Sequence, residues 1–230
     1  IARSTDIAKL LIEKGADVNA RSNNGSTPLH AARSIDIAKL LIEKGADVNA
    51  RSNDGTTPLL MALGGNNTEL AKLLIEKGAD VNPRSNLGWT PLLRALSNGN
   101  TMLAKLLIEK GADVNARSND GTTPLLMALG GNNTELAKLL IEKGADVNAR
   151  SNLGWTPLLF VVEGRNNTEL AKLLIEKGAN VNAKNTSGLY LLDIAKLNKN
   201  TGVEKLLIEN GAKQGSEIAL PVNKFLSKNK

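Results

Sequence analysis

From residue 57 the chain carries two short apolar runs of helical period separated by a breaker. Thr57 precedes Pro58, which pairs an N-capping hydroxyl with a proline whose fixed φ and missing N–H suit a first helical turn. Leu59, Leu60, Met61, Ala62 and Leu63 follow, and Gly64-Gly65-Asn66-Asn67 ends the run after about two turns. A second helix is expected from Thr68. Its Leu70, Ala71, Leu73 and Leu74 fall on one side and Lys72, Glu76 and Lys77 on the other, and Gly78 stands where a left-handed cap is wanted. Asp80-Val81-Asn82 through Gly88 then reads as an extended finger that turns into the next Thr-Pro.

This unit is repeated. The Gly-Ala dipeptide recurs with its Gly at 15, 45, 78, 111, 144, 178 and 211. The first six lie in the string Leu-Leu-Ile-Glu-Lys-Gly-Ala-(Asp/Asn)-Val-Asn, and Thr-Pro-Leu stands upstream at Thr27, Thr57, Thr90, Thr123 and Thr156. Two such helices cannot bury their apolar stripes alone, so neighbouring units must stack in a row. In length and motif the unit resembles the ankyrin repeat, and the resemblance runs to about residue 212. It implies an all-α solenoid of stacked helix-turn-helix units with short β-hairpin fingers. The array is divided at 1–21 (partial), 22–51, 52–84, 85–117, 118–150, 151–184 and 185–212, followed by a basic tail over 213–230.

Departures from the pattern are informative. In the second unit only Ala31 to Ser34 separate His30 from Ile35, so its first helix or loop is expected to be about one turn shorter. Ile7, Leu10 and Leu11 would face water unless a further repeat or cap precedes them. Tyr190-Leu191-Leu192-Asp193 replaces Thr-Pro-Leu in the last unit, as suits a terminal cap. Units 52–84 and 118–150 differ only at Pro83 against Ala149, while 85–117 and 151–184 share Ser-Asn-Leu-Gly-Trp-Thr-Pro-Leu-Leu, so a pair of repeats has been duplicated.

Composition then narrows the chemistry. The 230 residues are 41% hydrophobic, too apolar for a disordered chain, yet hold only two Trp, two Phe and one Tyr, so the core must be aliphatic. The absence of Cys removes disulfides, thiolate ligands and a Cys nucleophile, and a single His removes multi-His metal sites. It also suits a reducing compartment. No apolar run approaches a membrane span, so a soluble protein is expected. The chain opens on Ile1 rather than Met, which leaves any upstream targeting segment unread. Half of the formal charge of +6 comes from the tail, where Lys213, Lys224, Lys228 and Lys230 outnumber Glu217.

No nucleophile and base pairing rises above the repeat background. His30 matches the histidine of the ankyrin motif, whose implied role is to tie neighbouring loops, and Leu60, Leu93, Leu126 and Leu159 replace it in the next units. Asp17, Asp47, Asp80, Asp113 and Asp146 recur once per unit, as scaffold residues do. Each repeated Glu has a Lys four residues before it, such as Lys72 with Glu76, which is expected to form a weak exposed pair. The Asn-x-Ser/Thr triplets at Asn66, Asn132, Asn166 and Asn185 read as helix-start chemistry rather than glycosylation sites.

The finger tips alternate: Asp54 and Asp120 occupy two, Leu87 with Trp89 and Leu153 with Trp155 the other two. The resemblance implies that fingers and first helices line a concave binding surface. Trp89 and Trp155, about 20 Å apart at one helix-packing distance per unit, are then candidate hot spots, or indoles that pack on a neighbouring finger. A second row, Arg21, Arg51, Arg84, Arg117, Arg150 and Lys184, reads either as a solvated edge paired with the Asp or Asn four residues earlier, or as a ladder for an acidic partner or a phosphate backbone. Arg94 fills the slot held elsewhere by Met61, Met127, Phe160 and Ile194, so it either snorkels or faces a ligand.

The function expected is a non-catalytic, monomeric, cytoplasmic scaffold for a protein partner, with no cofactor and no metal. The candidate residues are Trp89, Trp155, Leu87, Leu153, Asp54, Asp120, Arg94, Arg51, Arg84, Arg117 and Arg150. The alternatives are nucleic-acid or acidic-partner binding through the Arg row and tail, which for nucleic acid is the weaker expectation, and the interaction part of a host-directed effector. The near-identical repeats and the richness in Lys, Asn and Ile resemble ankyrin proteins of intracellular bacteria, protists or large viruses.

Overall fold

A computed structural model describes residues 2–164 and 167–215, with side chains from residue 5. Thirteen helices are present among them: α1 (Ala2–Glu13), α2 (Pro28–Ala31), α3 (Ile35–Glu43), α4 (Pro58–Gly64), α5 (Thr68–Glu76), α6 (Pro91–Ser97), α7 (Thr101–Glu109), α8 (Pro124–Gly130), α9 (Thr134–Glu142), α10 (Pro157–Glu163), α11 (Thr168–Glu176), α12 (Leu191–Leu197) and α13 (Thr201–Glu209). Even-numbered helices pack on even-numbered neighbours and odd on odd, while each pair such as α4 and α5 forms an antiparallel hairpin. The result is two parallel rows of helices, as stacking of half-buried units requires.

Local chemistry starts and stops each helix. Thr57 Oγ1 accepts from Leu60 N at 3.3 Å at the start of α4, and Asn67 Oδ1 accepts from Leu70 N at 3.1 Å at the start of α5. The cap of α5 is therefore the second Asn of the pair, with Thr68 as the first helical residue. Asn66 takes φ 52 in the turn between the helices. Between the two rows lies a continuous aliphatic core. Leu59, Leu92, Leu125 and Leu158 from the first helices and Ala71, Ala104, Ala137 and Ala171 from the second are fully buried, the small alanines letting successive helices approach.

The fingers are tight turns rather than β-hairpins. Ser52 N donates to Thr56 O at 2.9 Å and Gly55 N to Ser52 O at 2.9 Å, which exhausts the pairing within one finger. Each finger then bonds edgewise to the next: Asn86 N donates to Asp54 O at 2.8 Å and Asn152 N to Asp120 O at 3.0 Å. Among the described residues the one isolated β-bridge is Lys184 with Tyr190.

At the irregular unit, α2 has four residues against seven in α4, α6, α8 and α10. The missing turn leaves a cleft of about 980 Å³ on the finger side, lined by His30, Ala32, Met61 and Gly64 among others. Ile7, Leu10 and Leu11 on α1 are more than half exposed, and an apolar cleft of about 600 Å³ lies between α1, α2 and α3. At the other end Lys213 N donates to Asn182 Oδ1 at 2.7 Å and Gly215 N to Asp193, so residues 213 to 215 are bonded to the loop after α11 and to α12. The remainder of the basic tail, 216–230, lies outside the described residues. No described helix is long and apolar enough to cross a membrane.

Candidate functional site

Three ladders of side-chain bonds run along the stack and decide which polar groups remain free. The Asn of each Val-Asn joins consecutive units: Asn82 Nδ2 donates to Gly111 O at 3.0 Å, and Asp113 N donates to Asn82 Oδ1 at 2.7 Å. Asn19, Asn49, Asn115 and Asn148 repeat the arrangement. The finger asparagines form a second ladder, with Asn119 Nδ2 donating to Asn86 O at 2.9 Å and Asn152 Nδ2 to Asn119 O at 3.0 Å. Neither ladder is among the candidate residues read from the sequence, although an Asn recurring at the same place in every unit was a signal for them.

The arginine row is the third ladder. Arg51 Nη2 donates to Arg84 O at 2.6 Å, Arg117 Nη2 to Arg150 O at 2.6 Å and Arg150 Nη2 to Lys184 O at 3.4 Å. Arg84 lies over Gly88 of its own finger, where an added Cβ would meet its Nη2 at 3.0 Å. The carboxylates four residues upstream point elsewhere: Asp47 Oδ1 accepts from Asn49 N and Asp146 Oδ1 from Asn148 N, both at 2.8 Å. No described arginine is ion-paired within 4.0 Å. The expected pairing of arginine with a local Asp or Asn is thus replaced by donation to a carbonyl one unit on, which the short carboxylates do not compete with.

His30 is a structural link. It is buried, accepts from Thr27 N through Nδ1 at 3.1 Å, and lies with Nε2 3.0 Å from Thr56 O in the next finger. A carbonyl can only accept, so Nε2 carries the proton. Thr27 Oγ1 completes the set at 2.9 Å from Nδ1. On the outer helices Lys72 pairs with Glu69 at 3.0 Å and not with Glu76, and Lys138 bridges to Glu169 of the next repeat at 2.9 Å. The Lys-to-Glu i,i+4 pair forms at Lys172 with Glu176 and Lys205 with Glu209, at 3.8 Å each. Among the described residues no group of three or more His, Cys, Asp or Glu is arranged to hold a metal ion.

What stays free lies on the fingers and the adjoining face of the first helices. Leu87 and Leu153 at the tips are 67% and 72% exposed. Asp54 and Asp120 are also exposed, but one oxygen of each is held by the Ser52 or Ser118 hydroxyl and by Thr56 N or Thr122 N, at 3.1 and 3.2 Å for the amides. These bonds, the serine first, hold both carboxyls below their ordinary pKa. The two indoles are half-buried, neither sealed nor free. Trp89 carries the guanidinium of Arg94 over its ring, 4.5 Å from the centroid, and Trp155 stacks on Phe160 with centroids 4.5 Å apart. The structure therefore brings together each Trp and the residue five positions later, within one repeat. The pairing of Trp89 with Arg94 was not read from the sequence.

Arg94, Met61, Met127 and Phe160 occupy the same position of α6, α4, α8 and α10, which pack in the order α4, α6, α8, α10. They form a part-exposed row beneath the fingers, apolar except for Arg94. Arg94 Nε is buried without a hydrogen-bond partner.

Comparisons agree with this architecture. A family model described as ankyrin repeats in three copies matches residues 1–52, 33–118, 60–151, 110–185 and 128–218. No curated protein matches the chain. Among solved structures, an ankyrin repeat domain from Acinetobacter baumannii AYE is similar at TM-score 0.72 and 34% identity, over 81% of this chain and 98% of that one. The human ASB11 ankyrin repeat domain is similar at TM-score 0.67 and 28% identity, over 94% of this chain and 95% of that one. With its paired helices, stacked fingers and repeated caps, the chain belongs to the ankyrin repeat family.

Proposed function

We propose that the chain is a protein-interaction scaffold without catalytic activity, engaging a partner on the surface made by its fingers and first helices. The observation that carries this is the state of the two apolar tips: Leu87 and Leu153 stand 67% and 72% exposed beside indoles already fixed by stacking. Large side chains held in place lose little entropy on contact, which is what an interface anchor needs. Trp89 and Trp155 are the anchors in this reading, with Leu87 and Leu153 as apolar contacts and Asp54 and Asp120 setting the charge between them. Arg51, Arg84, Arg117 and Arg150 form the edge of the same surface. Three of these guanidinia already donate to backbone carbonyls, which favours a protein partner over a phosphate backbone. The reading has the chain acting as a monomer in the cytoplasm.

The test is affinity capture with the intact chain and with the Trp89→Ala/Trp155→Ala chain, read by quantitative mass spectrometry after circular dichroism shows matched folding. A protein retained by the first and depleted at least tenfold on the second is expected. Equal recovery of every bound protein overturns the surface assignment.

A further inference from the structure

Arg94 is the one cation in the row that Met61, Met127 and Phe160 continue beneath the fingers. It makes no hydrogen bond or ion pair among the described residues, its Nε is closed off from water, and the residue as a whole is partly exposed. The Trp89 ring lies against the guanidinium, with its centroid 4.5 Å from Cζ. In the equivalent slots to either side stand Met61, 45% exposed, and Met127, half-buried. A guanidinium partly stripped of water and held in one orientation has already met much of the desolvation and ordering cost of pairing, so an incoming oxyanion gains more from it than from a freely solvated arginine.

We propose that Arg94, stacked on Trp89 between Met61 and Met127, is the recognition point for an Asp or Glu side chain in an extended partner segment whose flanking residues are apolar. This rests on the reading of the finger surface as the partner site and deepens it. A carboxylate fits better than a phosphate. Arg94 is alone in an apolar row, whereas the fingers to either side carry Asp54 and Asp120, whose charge works against a dianion. Successive repeats lie about 10 Å apart, which is about three residues of polyproline II chain at roughly 3.1 Å each, a conformation that returns every third side chain to the same face. The partner segment therefore places apolar side chains three positions before and after its acid, where they meet Met61 and Met127.

The test is selection of a randomised dodecapeptide display library on the full chain, in four versions: intact, Arg94→Gln, Arg94→Glu and Trp89→Ala/Trp155→Ala, each with its thermal midpoint measured. The intact chain is expected to enrich peptides with an Asp or Glu flanked by Leu, Met or Phe at three residues on either side. Their affinity should fall at least tenfold on Arg94→Gln. On Arg94→Glu the enriched peptides should carry Lys or Arg in place of the acid, an exchange that a merely structural arginine would not cause. Enriched peptides with no shared acid, or with the same acid on Arg94→Glu, overturn the assignment. So does a selected peptide that binds more than tenfold tighter when its acid is replaced by phosphoserine. Peptides that lack the acid yet are lost on the double-Trp chain sink the role of Arg94 and leave the surface reading standing. Peptides that bind the double-Trp chain undiminished sink both.

Discussion

Asp113 donates its backbone N–H to Oδ1 of Asn82 at 2.7 Å, across the boundary between two repeats. Asn82 Nδ2 in turn donates to Gly111 O at 3.0 Å, so one exposed side chain satisfies both a donor and an acceptor of the next unit. Because water can replace these bonds at an exposed site, Asn82→Ala should cost about 1–2 kcal/mol and not the larger penalty of a buried orphan. Asn82→Asp, which keeps the acceptor and loses the donor, should fall between the two. Urea unfolding midpoints of the three chains check the order.

Two glycines with nearly the same backbone should respond differently to a methyl group. Gly88 has φ 77 and an added Cβ would stand 2.8 Å from Asn119 N of the next finger; Gly111 has φ 86 and open space around it. Gly111→Ala carries only the left-handed backbone penalty of about 1–2 kcal/mol. Gly88→Ala adds a clash with backbone that cannot move without parting two fingers, so its unfolding midpoint should be clearly the lower.

Asp54 and Asp120 make a pH prediction. The serine hydroxyls and finger amides depress both carboxyls in the folded chain. A depressed folded value contributes stability that is complete above the ordinary carboxylate range and is lost as pH falls through the folded value. In Ser52→Ala/Ser118→Ala both carboxyls should titrate closer to the ordinary value, and stability should fall less steeply across that window. Carboxyl NMR titration with acid unfolding reads both effects; unchanged titration would show that the serines do not control these groups.

Arg94→Met puts into α6 the residue found at the same place in α4 and α8. It removes a cation with a buried unbonded Nε, at the loss of its stacking on Trp89. The two effects are of similar size, about 1 kcal/mol each, so the thermal midpoint should stay within a few degrees of the original. A loss above roughly 2 kcal/mol would make Arg94 a scaffold residue.

The stacking architecture was legible because each unit states it locally. Thr-Pro, the Asn-Thr start and the Lys-Gly stop all act within a few residues: α4, α6, α8 and α10 begin at Thr-Pro, while α5, α7, α9 and α11 begin at Asn-Thr and end at Lys-Gly. The shortened α2 was legible for the same reason, since the deletion before Ile35 removes a turn from a helix already placed. The destination of Arg51 was not, because the carbonyl it reaches belongs to residue 84 and depends on how two units register. Lys72 chose Glu69 over Glu76 although both sit at helical spacing, a rotamer choice that spacing does not encode. Hairpin strands were expected where one pair bond and a turn suffice, because each finger takes its remaining bonds from the neighbouring fingers. At the candidate surface the exposed tips could be read from their alternation. The stacking of Trp89 on Arg94 needed the turn between them, which brings residues five apart into contact.

On the proposed surface a partner meets the fingers and first helices and leaves the second helices bare. The chain has three methionines, and they report on both sides: Met61 and Met127 lie on first helices, and Met102, 57% exposed, on the second helix α7. Methyl-labelled methionine NMR during titration with a captured partner should shift Met61 and Met127 and leave Met102 in place. A shift of Met102 alone, with the other two silent, would contradict the account.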